Sequence, residues 1–265
     1  EDLGKLCDLL MRLEQAAPPW RVSYRQIFGA PLDAEFMAHG WTSHLLLTDP
    51  DGVEHKVDLF GKAPRVQTVE TEPGDADYAS RHVVALMKRT DRDRDWPVVD
   101  GLGWQLQDRH RAEGILHIQD AAKLHAAWQQ TDAARRATLA LRRPLLRCLD
   151  SESDPDRIDA LVRTERIICK CVNQERYSLF TRAWKDFFRQ WRRDENWQWP
   201  TSEPFRLQHA GLLEAVRTHG LPADPVGAVG RPRILETALG RAAVRANSSP
   251  AQIAQLHPPL TELLP

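Results

Sequence analysis

No apolar run in this 265-residue chain approaches the roughly 18 residues that cross a bilayer, so no membrane partner is expected. The run from Ser43 to Leu47 is only strand-sized. An excess of one charge sign is also missing. Lys and Arg number 36 against 37 Asp and Glu, so affinity for nucleic acid has to come from a local patch rather than from the global field. Cysteine is scarce, at four residues: Cys7, Cys148, Cys169 and Cys171. Cys169 and Cys171 stand too close together for a C-x-x-C metal clip, and no His-rich segment follows, so a reduced, cytoplasmic protein is expected. There is no H-E-x-x-H and no Ser-His-Asp context. The stretch Gly227-Ala228-Val229-Gly230 lacks the preceding strand and the spacing of a dinucleotide turn. No secretory signal is visible, and Glu1 falls within a helical pattern, so residue 1 is not expected to be the natural start. What remains is an ordinary soluble composition, 42% hydrophobic and 28% charged with mean hydropathy -0.50, long enough for one large core or two modest ones.

What the chain has is organised pattern. Leu3, Leu6, Cys7, Leu10 and Leu13 recur at helical spacing, which gives a first helix over about sixteen residues, ended before Pro18-Pro19. From Trp41 the period changes. Ser43 to Leu47 is apolar, Asp49-Pro50-Asp51-Gly52 is turn chemistry, and Val53 to Phe60 alternates in period two, so a β-hairpin is expected. In its second strand Val57 and Leu59 point one way, while Lys56, Asp58 and Phe60 point the other. Arg65 to Thr71 reads as a third short strand, broken at Pro73-Gly74-Asp75. After Ala76 only helices are expected: one ending near Lys88 or Arg89, one with Asp91 as N-cap running towards Gln107 with Pro97 in its early part, then 119–130, 132–149, 156–168 and 174–195. Residues 221–233 read as a loop, about 234–246 as a last helix, and 248–265 as an extended tail.

Two features invite chemistry. Asp58 is a carboxylate within a strand, a costly placement unless it faces water, a partner or a metal. The run Lys88-Arg89-Thr90-Asp91-Arg92-Asp93-Arg94-Asp95, read as helical, puts Lys88, Asp91, Arg92 and Asp95 on one face, able to hold a cation over phosphate oxygens. A solvated ladder of salt bridges has the same pattern.

Together these features carry a resemblance. The hairpin closing on Gly52-Val-Glu-His-Lys-Val-Asp-Leu-Phe60, followed by Leu-Met-Lys-Arg-Thr and by Arg-Asp-Trp-Pro-Val-Val-Asp ending at Asp100, resembles the minimal nucleotidyltransferases of the polymerase-β superfamily, including bacterial toxin–antitoxin members. The resemblance covers about residues 1–105. It implies that Asp58 is the third catalytic and metal-binding carboxylate. It implies that Lys88, Arg92, Arg94 and Asp95 form the cofactor-binding set, with Lys88 and Arg94 steadying the nucleotide phosphates, Mg²⁺ as cofactor and an NTP as donor of a nucleotide to a hydroxyl. The family's Gly-rich turn and Asp-x-Asp strand have no counterpart in this sequence, and Asp8 and the Asp49–Asp51 turn do not replace them. Two-metal phosphoryl chemistry needs clustered acids, so the chain as it stands is expected to be inactive.

The later part is helical and aromatic. Four of the nine tryptophans are Trp184, Trp191, Trp197 and Trp199. Phe180, Trp184, Phe187, Phe188 and Trp191 form a stripe, opposite Arg182, Lys185, Arg189, Arg192 and Arg193. Glu175, Asp186, Asp194 and Glu195 dilute that basic field, and Arg142, Arg143 and Arg147 form a smaller basic group. The plain expectation is an apolar core face and a wet basic face; the alternative is a non-enzymatic module binding RNA or a partner protein. The expected organisation is α+β: residues 1–108 an incomplete nucleotidyltransferase-like domain with a small antiparallel or mixed sheet, 109–247 helical, and 248–265 a tail.

Overall fold

The computed structural model describes residues 2–109, 111–194, 197–200 and 203–264. Glu1 and Glu195, expected in helices, and Pro265 of the tail lie outside the described residues. In chain order the elements are α1 (Asp2–Glu14), β1 (Arg21–Tyr24), α2 (Ala34–Ala38), β2 (Thr42–Thr48), β3 (Glu54–Phe60), β4 (Thr71–Glu72), β5 (Asp75–Ala79), α3 (Arg81–Met87) and α4 (Trp96–Asp108). They continue as α5 (Ala121–Gln130), α6 (Ala133–Arg142), α7 (Pro155–Trp191), α8 (Phe205–Thr218), α9 (Pro225–Val229), α10 (Arg231–Ala246), α11 (Pro250–Leu256) and α12 (Leu260–Leu263). The fold is α+β, as expected. The chain forms two compact units, residues 1–62 with 178–228 and residues 63–177 with 229–265, so the stretch expected to form one domain over 1–108 is shared between them.

The first unit is built on a three-stranded antiparallel sheet in the order β1-β2-β3. Its hairpin follows from the turn: Asp49 Oδ1 accepts the backbone N–H groups of Asp51 at 3.0 Å and Val53 at 2.8 Å, while Gly52 takes φ +82°. One face of the sheet is core. Tyr24 pairs with Leu45 and Leu45 with Val57 in register, and Val22, Tyr24 and Leu45 are buried. Onto this layer pack Phe180, Trp184, Phe187 and Trp191 from the end of α7, with Phe205, Leu212 and Val216 of α8. The aromatic stripe is therefore core, and Lys185, Arg189, Arg192 and Arg193 are exposed. The outer edge of β1 is finished by a side chain. Gln208 accepts the Tyr24 N–H at 3.1 Å and donates to the Val22 carbonyl at 3.1 Å, standing in for a neighbouring strand.

The second unit is helical apart from the β4–β5 hairpin. Its centre holds a fully buried ion pair: Arg143 Nη2 lies 2.7 Å from Glu165 Oε2, and Arg143 Nη1 donates to the carbonyls of Ile115 and Ile118 at 2.7 and 2.8 Å. Helix α4 lies against the turn at 112–116 backbone to backbone, since a Cβ on Gly114 would come 2.6 Å from the Gly103 carbonyl oxygen.

Several expectations are corrected. The helices expected at 156–168 and 174–195 are one helix, α7, because the intervening Cys169, Cys171 and Val172 are buried and continue its apolar stripe. The loop expected over 221–233 holds α9 and the start of α10, and the tail holds α11 and α12. There Ser249 and Gln252 form a reciprocal capping box, and Ile253, Leu256, Leu263 and Leu264 are buried. Residues 65–70 are not a strand; β4 and β5 flank Gly74 instead. Beyond residue 76, β5 continues to Ala79 with every side chain exposed, so no alternation marked it. Strand β1 had no sequence signal of its own.

Candidate functional site

Asp58 stands on β3 with its side chain on the face away from the core, as the alternation of the strand requires. The register sets His44 of β2 directly opposite, and Arg25 follows the end of β1 with its N–H on the His44 carbonyl. The three side chains make a row across the sheet. His44 Nδ1 is 2.6 Å and Arg25 Nη1 3.1 Å from the same oxygen, Asp58 Oδ1. Asp58 Oδ2 has no partner among the described residues, and the side chain is 48% exposed. Gly29 lies close under the His44 ring: a Cβ there would be 2.8 Å from His44 Cδ2 and from the Thr42 carbonyl. His55 is held elsewhere, with Nε2 3.0 Å from Asp49 Oδ2 and its ring against Trp20.

The other sequence-chosen residues belong to the second unit. Helix α3 stops at Met87, Lys88 caps it, and a single 3₁₀ turn covers Asp93–Asp95, so Lys88, Asp91, Arg92 and Asp95 do not share one helical face. The break has a cause. The Thr90 hydroxyl donates to Asp95 Oδ2 and Trp96 Nε1 donates to the Thr90 carbonyl at 3.1 Å, folding the segment back on the start of α4. Arg92 Nη2 lies 2.8 Å from the same Asp95 oxygen. Burial works against the Asp95 charge, yet the Thr90 hydroxyl and the Arg92 guanidinium, with Lys88 beyond, hold its carboxyl below the ordinary value. Asp95 is thus a buried structural acid with its partner, Arg92. Arg94 is exposed with no partner among the described residues. Asp100 is structural too, accepting the N–H groups of Gln119 and Asp120 at 2.6 and 3.2 Å.

No family model, no curated protein and no solved structure matches the chain. The site therefore rests on its own geometry.

That geometry does not fit Mg²⁺. A hard dication needs several clustered oxygens, and among the described residues no three His, Cys, Asp or Glu side chains converge on a metal position. Asp58 has an imidazole and a guanidinium for neighbours, both on Oδ1, where a hard dication would want further oxygen ligands close by. What the row can do unaided is hold a carboxylate in a fixed orientation with one oxygen open to a donor. His44 and Arg25 were missed from sequence; the hairpin register alone could have paired position 44 with position 58. Among the described residues, no helix is long and apolar enough to cross a membrane.

Proposed function

We propose that the chain is part of a nucleotidyltransferase-like protein that handles an NTP donor and a hydroxyl acceptor, with Asp58 at the reacting end. The observation that supports this reading is the half-tied carboxylate: Oδ1 is fixed by His44 and Arg25, while Oδ2 is open on an exposed sheet face. An oxygen so placed can accept the hydrogen of an attacking hydroxyl, and the Arg25 guanidinium beside it can meet a phosphate oxygen. Lys88 and Arg94 belong to the second unit and are given no part in the Asp58 site; Arg92 is committed to Asp95. The test is transfer of labelled nucleotide from an NTP by the natural full-length protein, with Asp58→Asn as the comparison.

A second reading has its own observation. An open recess of about 460 Å³ in the first unit is lined by Trp184, Lys185, Phe188, Arg189, Arg192 and Arg193. The Trp184 and Phe188 rings are stacked 5.6 Å apart, and Arg192 lies over the Trp197 ring at 5.2 Å. The partly buried Phe188 and Trp197 beside these cations suit single-stranded RNA, which stacks its bases and neutralises its backbone. Titration with a single-stranded RNA at two salt concentrations tests it: affinity that falls steeply with salt supports the reading, and no binding at low salt removes it.

A further inference from the structure

A cleft of about 310 Å³ in the second unit is lined by Glu72, Pro73, Ser80, Arg81, His82, Leu106, Arg109 and Arg111, none of them part of the Asp58 row. Its chemistry is one-sided. Among the described residues Glu72 is the only acid in the lining, and it is already taken: it accepts the Arg81 N–H at 3.1 Å, pairs with the Arg81 guanidinium, and lies 3.2 Å from Arg109. Arg81 also donates to Gln105 at 2.9 Å. Arg111 has only long contacts, 3.5 Å to Glu113 and 4.0 Å to Glu70 at the rim. Arg109 and Arg111 therefore keep N–H donors that no protein acceptor uses well. Ser80 Oγ accepts the Val83 N–H, which leaves its hydroxyl hydrogen free to donate.

The floor of the cleft adds a donor by proton counting. His82 Nδ1 lies 2.7 Å from His117 Nε2, His117 Nδ1 lies 3.1 Å from Arg89 Nη2, and His82 Nε2 lies 3.3 Å from Arg142 Nη2. A neutral imidazole has one N–H and one lone pair, and a guanidinium has no lone pair to offer. A chain with an arginine at each end and two neutral rings between has too few acceptors for its three contacts. One end must face donor to donor, and that ring N–H needs another acceptor. His117 is completely buried, whereas His82 lines the cleft, and Arg142 can rest on Glu262, which it already meets at 2.7 Å. The order that relieves the conflict runs Arg89 to His117 to His82, with His82 Nε2–H turned to an acceptor that enters the cleft.

We propose that this cleft binds a phosphomonoester, whose oxygens take the N–H groups of Arg109, Arg111 and His82 while Pro73 and Leu106 wall the organic part. A dianionic monoester suits the excess of donors better than a diester, and a planar carboxylate satisfies fewer of them. The site does not rest on the nucleotidyltransferase reading, and Asp58 variants leave it unchanged.

The experiment is calorimetric titration of the whole chain with inorganic phosphate, ribose 5-phosphate and a dinucleotide phosphodiester. Arg109→Gln/Arg111→Gln is the test variant, and Arg163→Gln, on an exposed Asp159 pair near the start of α7 and outside the cleft lining, is the control. Ribose 5-phosphate is expected to bind more tightly than the diester and to lose about tenfold or more in the double variant, consistent with lost charge-assisted hydrogen bonds, but nothing in the control. In ¹⁵N-histidine spectra, His82 is expected to be the Nε2–H tautomer, with that nitrogen shifting on titration. Binding unchanged in the double variant, a diester bound as well as the monoester, or a His82 Nε2 that carries no proton overturns the proposal.

Discussion

His44 Nδ1 lies 2.6 Å from Asp58 Oδ1, across the β2–β3 register. The contact is set by backbone pairing rather than by flexible side-chain choice, because the Asp49 turn fixes which residue of β2 meets which of β3. The carboxylate is thereby aimed without being buried, and its second oxygen stays available.

The sheet that carries this row depends on a side chain far away in sequence. Gln208 satisfies both the Tyr24 N–H and the Val22 carbonyl, and it is itself buried. Gln208→Leu leaves both backbone groups without partners, each at a cost of about 1–3 kcal/mol. The first unit is expected to unfold at clearly lower denaturant, and equilibrium unfolding followed by tryptophan fluorescence, with the tryptophans of this core as reporters, measures it.

In the second unit the Arg143–Glu165 pair is enclosed. Glu165→Ala strands a buried guanidinium and is expected to destabilise by about 3–5 kcal/mol, far more than an exposed pair such as Arg163–Asp159, for which about 0.5 kcal/mol is expected. A double-mutant cycle over Arg143 and Glu165 reads the coupling directly.

The close approach of Gly103 and Gly114 gives a third expectation. Gly114→Ala introduces a methyl group against the Gly103 carbonyl and the backbone of Gln107, which are not flexible side-chain ends. Overpacking of this kind costs about 1–3 kcal/mol. Ala at Gly101 of α4, where a Cβ meets nothing within 4 Å, is expected to be neutral or mildly stabilising in a thermal melt.

Acid should loosen this unit through its paired histidines. Burial, then Arg142 and Arg89, bring His82 down to about 4; burial and the same cluster of arginines hold His117 well below the ordinary value. The unfolded chain, with histidines near about 6.5, takes up protons that the folded unit refuses. Stability is therefore complete above about pH 6.5 and declines as pH falls towards about 4, with His82 alone contributing about 3 kcal/mol of loss. Urea midpoints at about pH 7 and about pH 5 check it; equal midpoints contradict it.

Much of the first unit was legible in the residues. The Asp-Pro-Asp-Gly turn between an apolar and an alternating run announced the hairpin, the alternation turned Asp58 outward, and the helical spacing of Phe180, Trp184, Phe187 and Trp191 announced a core face. Strand β1 was not legible, because four residues after Pro18-Pro19 carry no pattern and its edge is completed by Gln208. The burial of Arg143 was hidden for the same reason: its acid, Glu165, lies on another helix. The expected common face of Lys88 and Asp95 failed because Thr90 and Asp95 bond to each other and end the helical path. The Asp58 row needed the strand register before His44 and Arg25 could be seen.

Asp58 is proposed as the reacting carboxylate of a nucleotidyltransferase-like protein. The most direct test is transfer of labelled nucleotide from an NTP by the natural full-length protein, comparing it with Asp58→Asn after both are shown to fold alike. A loss of about 10²-fold or more in Asp58→Asn is expected, in line with removal of a general base. Transfer undiminished in Asp58→Asn, or no transfer by the natural protein, contradicts the account.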